Sequence, residues 1–174
     1  MSKLTLVVHI AVGTSALVFA AAALGKLDSW GEWTALTDEF GLPRPWRRPV
    51  QFGVPLAETA IVVTSILAPT AGLAAAAALL ALFAAAVWVL RGRLAGRECN
   101  CFGAVAPATI SGRLAARNAL LAAPAAAAAF AAGRADVQAL PPLEVLVTVV
   151  VGTILLMGFE FVQVRRASRT RPAS

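Results

Sequence analysis

The chain has 174 residues, of which 59% are hydrophobic and only 14% charged, and its mean hydropathy is +0.78. A soluble domain carries roughly 25% charged residues; this chain lacks the polar side chains to coat a water-exposed globule, so lipid must cover much of its surface. The net charge of +6 does not point to nucleic acid, because the basic residues cluster between apolar stretches, as in loops that face anionic lipid headgroups.

A hydrocarbon core about 30 Å thick is crossed by roughly 20 apolar residues in a helix, and five segments approach that length. The first is Leu4 to Leu24. Ala21-Ala22-Ala23 resembles a small-residue cleavage site. The apolar stretch nevertheless exceeds the ~7–15 residues of a signal-peptide core, so it reads as a retained span. The connection 25–49 begins as an interfacial helix: Ser29 and Glu32 fit a capping box, and Leu27, Trp30, Trp33, Leu36 and Phe40 recur every three or four residues as one apolar stripe, expected to contact lipid, with a loop helix packed on the bundle as the alternative. Gly41 and Pro43 stop it.

The second span is Val50 to Ala68, separated by Pro69-Thr70 from the third, Ala71 to Leu90. The fourth, Leu114 to Ala132, is weakened by Arg117, Asn118 and Pro124, and the fifth is Leu143 to Val164. Lipid offers no hydrogen bonds to the backbone, so each span is expected to be helical. The reading is an all-α integral membrane bundle of about five transmembrane helices, one membrane domain over 1–174.

Five spans put the N-terminus, the Pro69 turn and the 133–142 loop on one side. Of the 15 Lys and Arg residues, only Lys3 and Arg134 fall there. The other 13 gather on the opposite side, at Lys26 to Arg48, Arg91 to Arg117 and Arg165 to Arg171. The positive-inside rule makes that side cytoplasmic, with the N-terminus outside and the C-terminus inside a bacterial cytoplasmic membrane.

The strongest chemical motif is Arg97-Glu98-Cys99-Asn100-Cys101-Phe102-Gly103, directly after the third span. Two cysteines cannot complete a structural zinc site alone, which takes about four ligands. Separated by one residue, they can close a small, strained disulfide, and strain makes such a bond labile to exchange. Arg91, Arg93 and Arg97 raise the local positive potential and favour thiolate, and Gly103 permits a tight turn after the pair. Cys99 and Cys101 are therefore the candidate catalytic residues.

Ionisable residues inside spans are costly and usually paired. Glu58 in the second span and Lys26 at the end of the first lie on the same side and are expected to approach near the inner surface, exposed to headgroups. Asn118, about one turn into the fourth span, is placed for interhelical hydrogen bonding. His9, Glu160 and Gln163 read as interfacial.

Several of these pieces resemble a known group. Leu24-Gly25-Lys26-Leu27, Phe40-Gly41-Leu42-Pro43, Pro55-Leu56-Ala57-Glu58, Cys99-Asn100-Cys101-Phe102-Gly103 and Arg117-Asn118 together look like the MauE (methylamine-utilisation) family, within the broader DoxX-like membrane proteins. The likeness covers about residues 5–135. It implies a redox-associated membrane protein with four DoxX-like helices, linked to maturation of a disulfide-rich methylamine dehydrogenase subunit and to thioredoxin-like partners.

The first reading is thus a thiol–disulfide relay, a membrane oxidoreductase exchanging electrons with a thioredoxin-like partner. A membrane quinone is the further acceptor such a pair could use; no other cofactor is indicated. The alternative is a non-catalytic membrane assembly factor for a redox enzyme. A small transporter fits less well, since no span is clearly broken and intramembrane charges are few.

Overall fold

The computed structural model describes residues 3–99 and 108–135. Five helices follow in order: α1 (Lys3–Asp28), α2 (Trp30–Glu39), α3 (Arg44–Leu67), α4 (Pro69–Leu94) and α5 (Gly112–Ala135). Between α4 and α5 a minimal antiparallel ladder pairs β1 (Glu98–Cys99) with β2 (Ala108–Thr109), Cys99 opposite Ala108.

Four of the helices, all but α2, are long and apolar enough to cross a membrane. The fold is a helical membrane bundle, and large apolar side chains such as Leu24, Leu56, Val89 and Leu120 project from its outer surface, where lipid can cover them. The first four expected spans are these helices; the fifth, 143–164, lies outside the described residues. The helix at 112–135 forms despite Arg117, Asn118 and Pro124, and its peak mean hydropathy, 1.4, is the lowest of the four.

Two punctuation points shape the bundle. Ala68 leaves helical geometry at φ −142° and ψ 78°, and Pro69, whose missing N–H costs nothing at a helix start, opens α4. The α3–α4 hairpin is then drawn together at Gly72, where a Cβ would lie 2.3 Å from the Cα of Ser65. Gly41, at φ +72°, makes the turn from α2 to α3, and the Arg93 guanidinium lies against it.

Two expectations for the 25–49 connection are corrected. Ser29 makes no side-chain cap bond. The Ser29 N–H, which Glu32 would bond in a capping box, already donates to Gly25 O at 3.0 Å, and Trp33 N–H donates to Ser29 O at 3.0 Å. The stripe of α2 also turns inward: Trp33 and Leu36 are buried against the bundle rather than lying in lipid.

The interior is layered along the bundle. At one end Val8, Val12, Leu73 and Ala132 pack together. In the middle are Phe19, Ala22, Ile61, Ala76 and Leu80. At the other end, roofed by α2 and by the residue after β2, are Leu36, Val87, Leu94, Ile110 and Leu114.

Candidate functional site

A polar layer separates the last two apolar layers. Lys26 is one turn beyond Ala22 in α1, Glu58 one turn before Ile61 in α3, and Asn118 one turn before Ala122 in α5. Ala22 and Ile61 belong to the middle cluster and Ala122 packs against it, so the alternating helix directions bring all three polar residues to one level. All three are buried, none more than 1% exposed.

Lys26 and Glu58 pair as expected, with Nζ donating to Oε1 at 2.7 Å. Their setting differs from the expectation of headgroup exposure. Trp33 of α2 and Phe83 of α4 place their ring centroids 5.4 and 5.9 Å from Nζ. The inward turn of α2 thus seals the pair from the membrane surface. Among the described residues, Glu58 Oε2 and both polar atoms of the Asn118 amide have no hydrogen-bond partner.

Trp33 carries a second duty. Pro55 has no N–H, so the carbonyl of Gln51, four residues earlier, lacks its helical donor. The Trp33 indole N–H donates to that carbonyl at 2.9 Å. The Gln51 amide returns a bond to Thr37 Oγ1 at 3.0 Å, stitching α2 to α3. Neither Trp33 nor Gln51 stood out from sequence as a site residue. A proline inside a span, counted back four residues to the carbonyl it deprives, was the available signal.

The cysteine motif leaves α4 at its basic end. Ile110 N–H donates to Arg97 O at 2.9 Å and Gly96 N–H to Ile110 O at 3.3 Å, closing the base of a hairpin. Arg97 reaches across to Glu39 at the end of α2, with Nε donating to Oε2 at 3.0 Å and Nη2 to Oε1. This bidentate pair ties the hairpin base to the α2 roof. Glu39 had not been singled out as its partner. Arg91 is engaged elsewhere, its guanidinium 3.3 Å from the ring centroid of Trp88 one turn earlier in α4. Cys101 and Gly103 lie outside the described residues, and Cys99 is placed by its backbone alone, as the last residue of β1.

The arrangement therefore presents a pinned loop stem at one end of a sealed bundle, with a buried ion pair one layer beneath it. A family model described as "Methylamine utilisation protein MauE" matches residues 1–131. The chain belongs to the MauE family. The matched stretch takes in α1, α3, α4 and α5 as far as residue 131, with Lys26, Glu58 and Asn118 and the whole cysteine motif; it stops before the 143–164 segment. Within the MauE match lie both the roof helix α2 and the hairpin stem, so the layering belongs to the family portion of the chain. No match is found among curated proteins or among solved structures.

Proposed function

We propose that this MauE-family membrane protein is a thiol–disulfide relay that supports maturation of a redox enzyme of the methylamine-utilisation type. Cys99 and Cys101 are its exchanging pair and a thioredoxin-like protein is its partner. The observation that carries this reading is the stem of the cysteine loop, pinned by the β1–β2 ladder and by Arg97 to Glu39 of the roof helix. A fixed stem anchors the chain on both sides of the motif at one end of the bundle, where a soluble partner can dock.

In each exchange a thiolate of the pair attacks one sulfur of a disulfide in the enzyme being matured, releasing the other sulfur of that disulfide as thiolate. The second cysteine then attacks the mixed disulfide and closes the Cys99–Cys101 bond. The maturing enzyme gains two electrons and two protons, and the pair is oxidised. The dithiol of the thioredoxin-like partner, running the same steps in reverse, restores the pair and is itself oxidised. Lys26, Glu58 and Asn118 support the stem from below by holding the layer beneath it.

The test is to express Cys99→Ser and Cys101→Ser in the native host and to trap thiols with an alkylating reagent. The relay requires loss of function in both variants and a covalent partner adduct in the one that lacks the resolving cysteine. Full function in the double Ser variant would remove the relay and leave a non-catalytic assembly role.

A further inference from the structure

Helix α3 has 24 residues and is therefore about 36 Å long, so its first turn extends past a hydrocarbon core about 30 Å thick. The apolar run of this helix begins at Val50, and Arg44, Arg47 and Arg48 precede it. This is the unfavourable end of a helix for cations. The first N–H groups carry partial positive charge there, and no acidic residue occupies the first turn of α3. Arg47 is compensated, by Asp38 at 3.6 Å and by Leu42 O at 3.2 Å. Arg44 and Arg48 are exposed, and among the described residues neither forms an ion pair. One turn apart, they also repel each other.

The same row of the helix continues into lipid. Arg44, Arg48, Phe52 and Leu56 follow at intervals of four and form one ridge on the surface of α3. Phe52 is 63% exposed and Leu56 70%. Trp30 of α2 packs on Phe52 with ring centroids 5.0 Å apart, which holds that ring at the border between the charged and the apolar parts of the ridge. Trp46, between the two arginines in sequence, is 62% exposed and carries an indole suited to headgroup depth.

We infer that this ridge binds one anionic phospholipid, its phosphodiester held by Arg44 and Arg48 and its acyl chains lying along Phe52 and Leu56. This goes beyond the relay reading and does not depend on it. The anion relieves both the repulsion between the two guanidiniums and their conflict with the helix end. The apolar continuation of the ridge selects the source of that anion. A free phosphate or an acidic soluble protein would meet the arginines and leave Phe52 and Leu56 untouched, whereas a phospholipid covers both parts at once.

The experiment uses the full chain, purified in a neutral detergent and titrated with phosphatidylglycerol or phosphatidylcholine; native mass spectrometry counts the retained lipid. Phosphatidylglycerol should bind more tightly than phosphatidylcholine. Each arginine near the headgroups contributes about a fivefold gain, so Arg44→Gln with Arg48→Gln should weaken phosphatidylglycerol by about 30-fold and leave phosphatidylcholine unchanged. Arg47→Gln removes the same unit of charge from a side chain already paired with Asp38, and should weaken binding less than Arg48→Gln alone. All three side chains lie at the surface of the α3 start, and circular dichroism should show the helical content of the wild type in each variant. Equal retention of the two lipids would overturn the inference, as would equal losses from Arg47→Gln and Arg48→Gln. Inorganic phosphate and glycerophosphoglycerol, the headgroup without its chains, are the competitors. Neither should displace phosphatidylglycerol at equal concentration; displacement by either would assign the arginines to a free anion and overturn the lipid site.

Discussion

Trp33 donates its indole N–H to the carbonyl of Gln51, a backbone oxygen that Pro55 deprives of its helical donor. One side chain thereby repairs a proline defect in a spanning helix and, with the same ring, shields the Lys26 ammonium. Trp33→Phe keeps the ring but abandons the carbonyl, and should cost about 1–3 kcal/mol. Pro55→Ala restores a local N–H, so the Trp33→Phe penalty should shrink in that background. A double-mutant cycle on thermal unfolding in detergent checks this; strictly additive losses would refute the coupling.

The buried pair should respond asymmetrically to substitution. Lys26→Met or Glu58→Gln alone leaves a buried group without its partner and should cost about 3–5 kcal/mol. Replacing both, as Lys26→Met with Glu58→Leu, should recover most of that loss. Stability of the three variants decides the point, and a double variant weaker than either single would contradict it.

Gly72→Ala should disrupt the α3–α4 hairpin, because the added Cβ meets the backbone of Ser65, which cannot rotate away. Ser65→Ala should be tolerated, and it should not rescue Gly72→Ala. The yield of monodisperse protein after extraction measures both.

The Arg97–Glu39 pair is largely exposed, so Glu39→Gln should change global stability by no more than about 1 kcal/mol. Its effect should be local. Hydrogen exchange at the Ile110 amide, which bonds to Arg97 O, should accelerate while α4 and α5 stay protected. Unchanged exchange at Ile110 would separate the ion pair from the hairpin stem.

Topology is tested by reporter fusions after Ala68, after Gly96 and at the C-terminus. The distribution of Lys and Arg predicts an extracytoplasmic signal from the first and cytoplasmic signals from the other two. An extracytoplasmic Gly96 fusion would reverse the orientation.

The Lys26–Glu58 pair was legible in the sequence because two opposite charges in neighbouring spans on one side have few other partners. Its depth was not, since that depends on which face of α2 turns inward, and a stripe of Leu27, Trp30, Trp33 and Leu36 suits lipid and protein equally well. The Ser29 cap failed for a related reason. A capping motif presumes a free helix start, and local sequence does not reveal that the Ser29 amide is already bonded back to Gly25 of α1. The start of α3 was hidden by Pro49 and Pro55, which argue against helix unless a donor such as Trp33 is seen to compensate.

Placing Lys26 and Glu58 at the same depth also has an electrical consequence. A charge carried across the full membrane potential exchanges about 2.3 kcal/mol per 100 mV. A cation and an anion at one height form a neutral unit on which that potential does almost no net work. The bundle can therefore hold two ionised groups within the bilayer while its stability stays indifferent to the energised state of the membrane. Glu58→Gln breaks that neutrality, and the lone Lys26 charge then couples the fold to voltage.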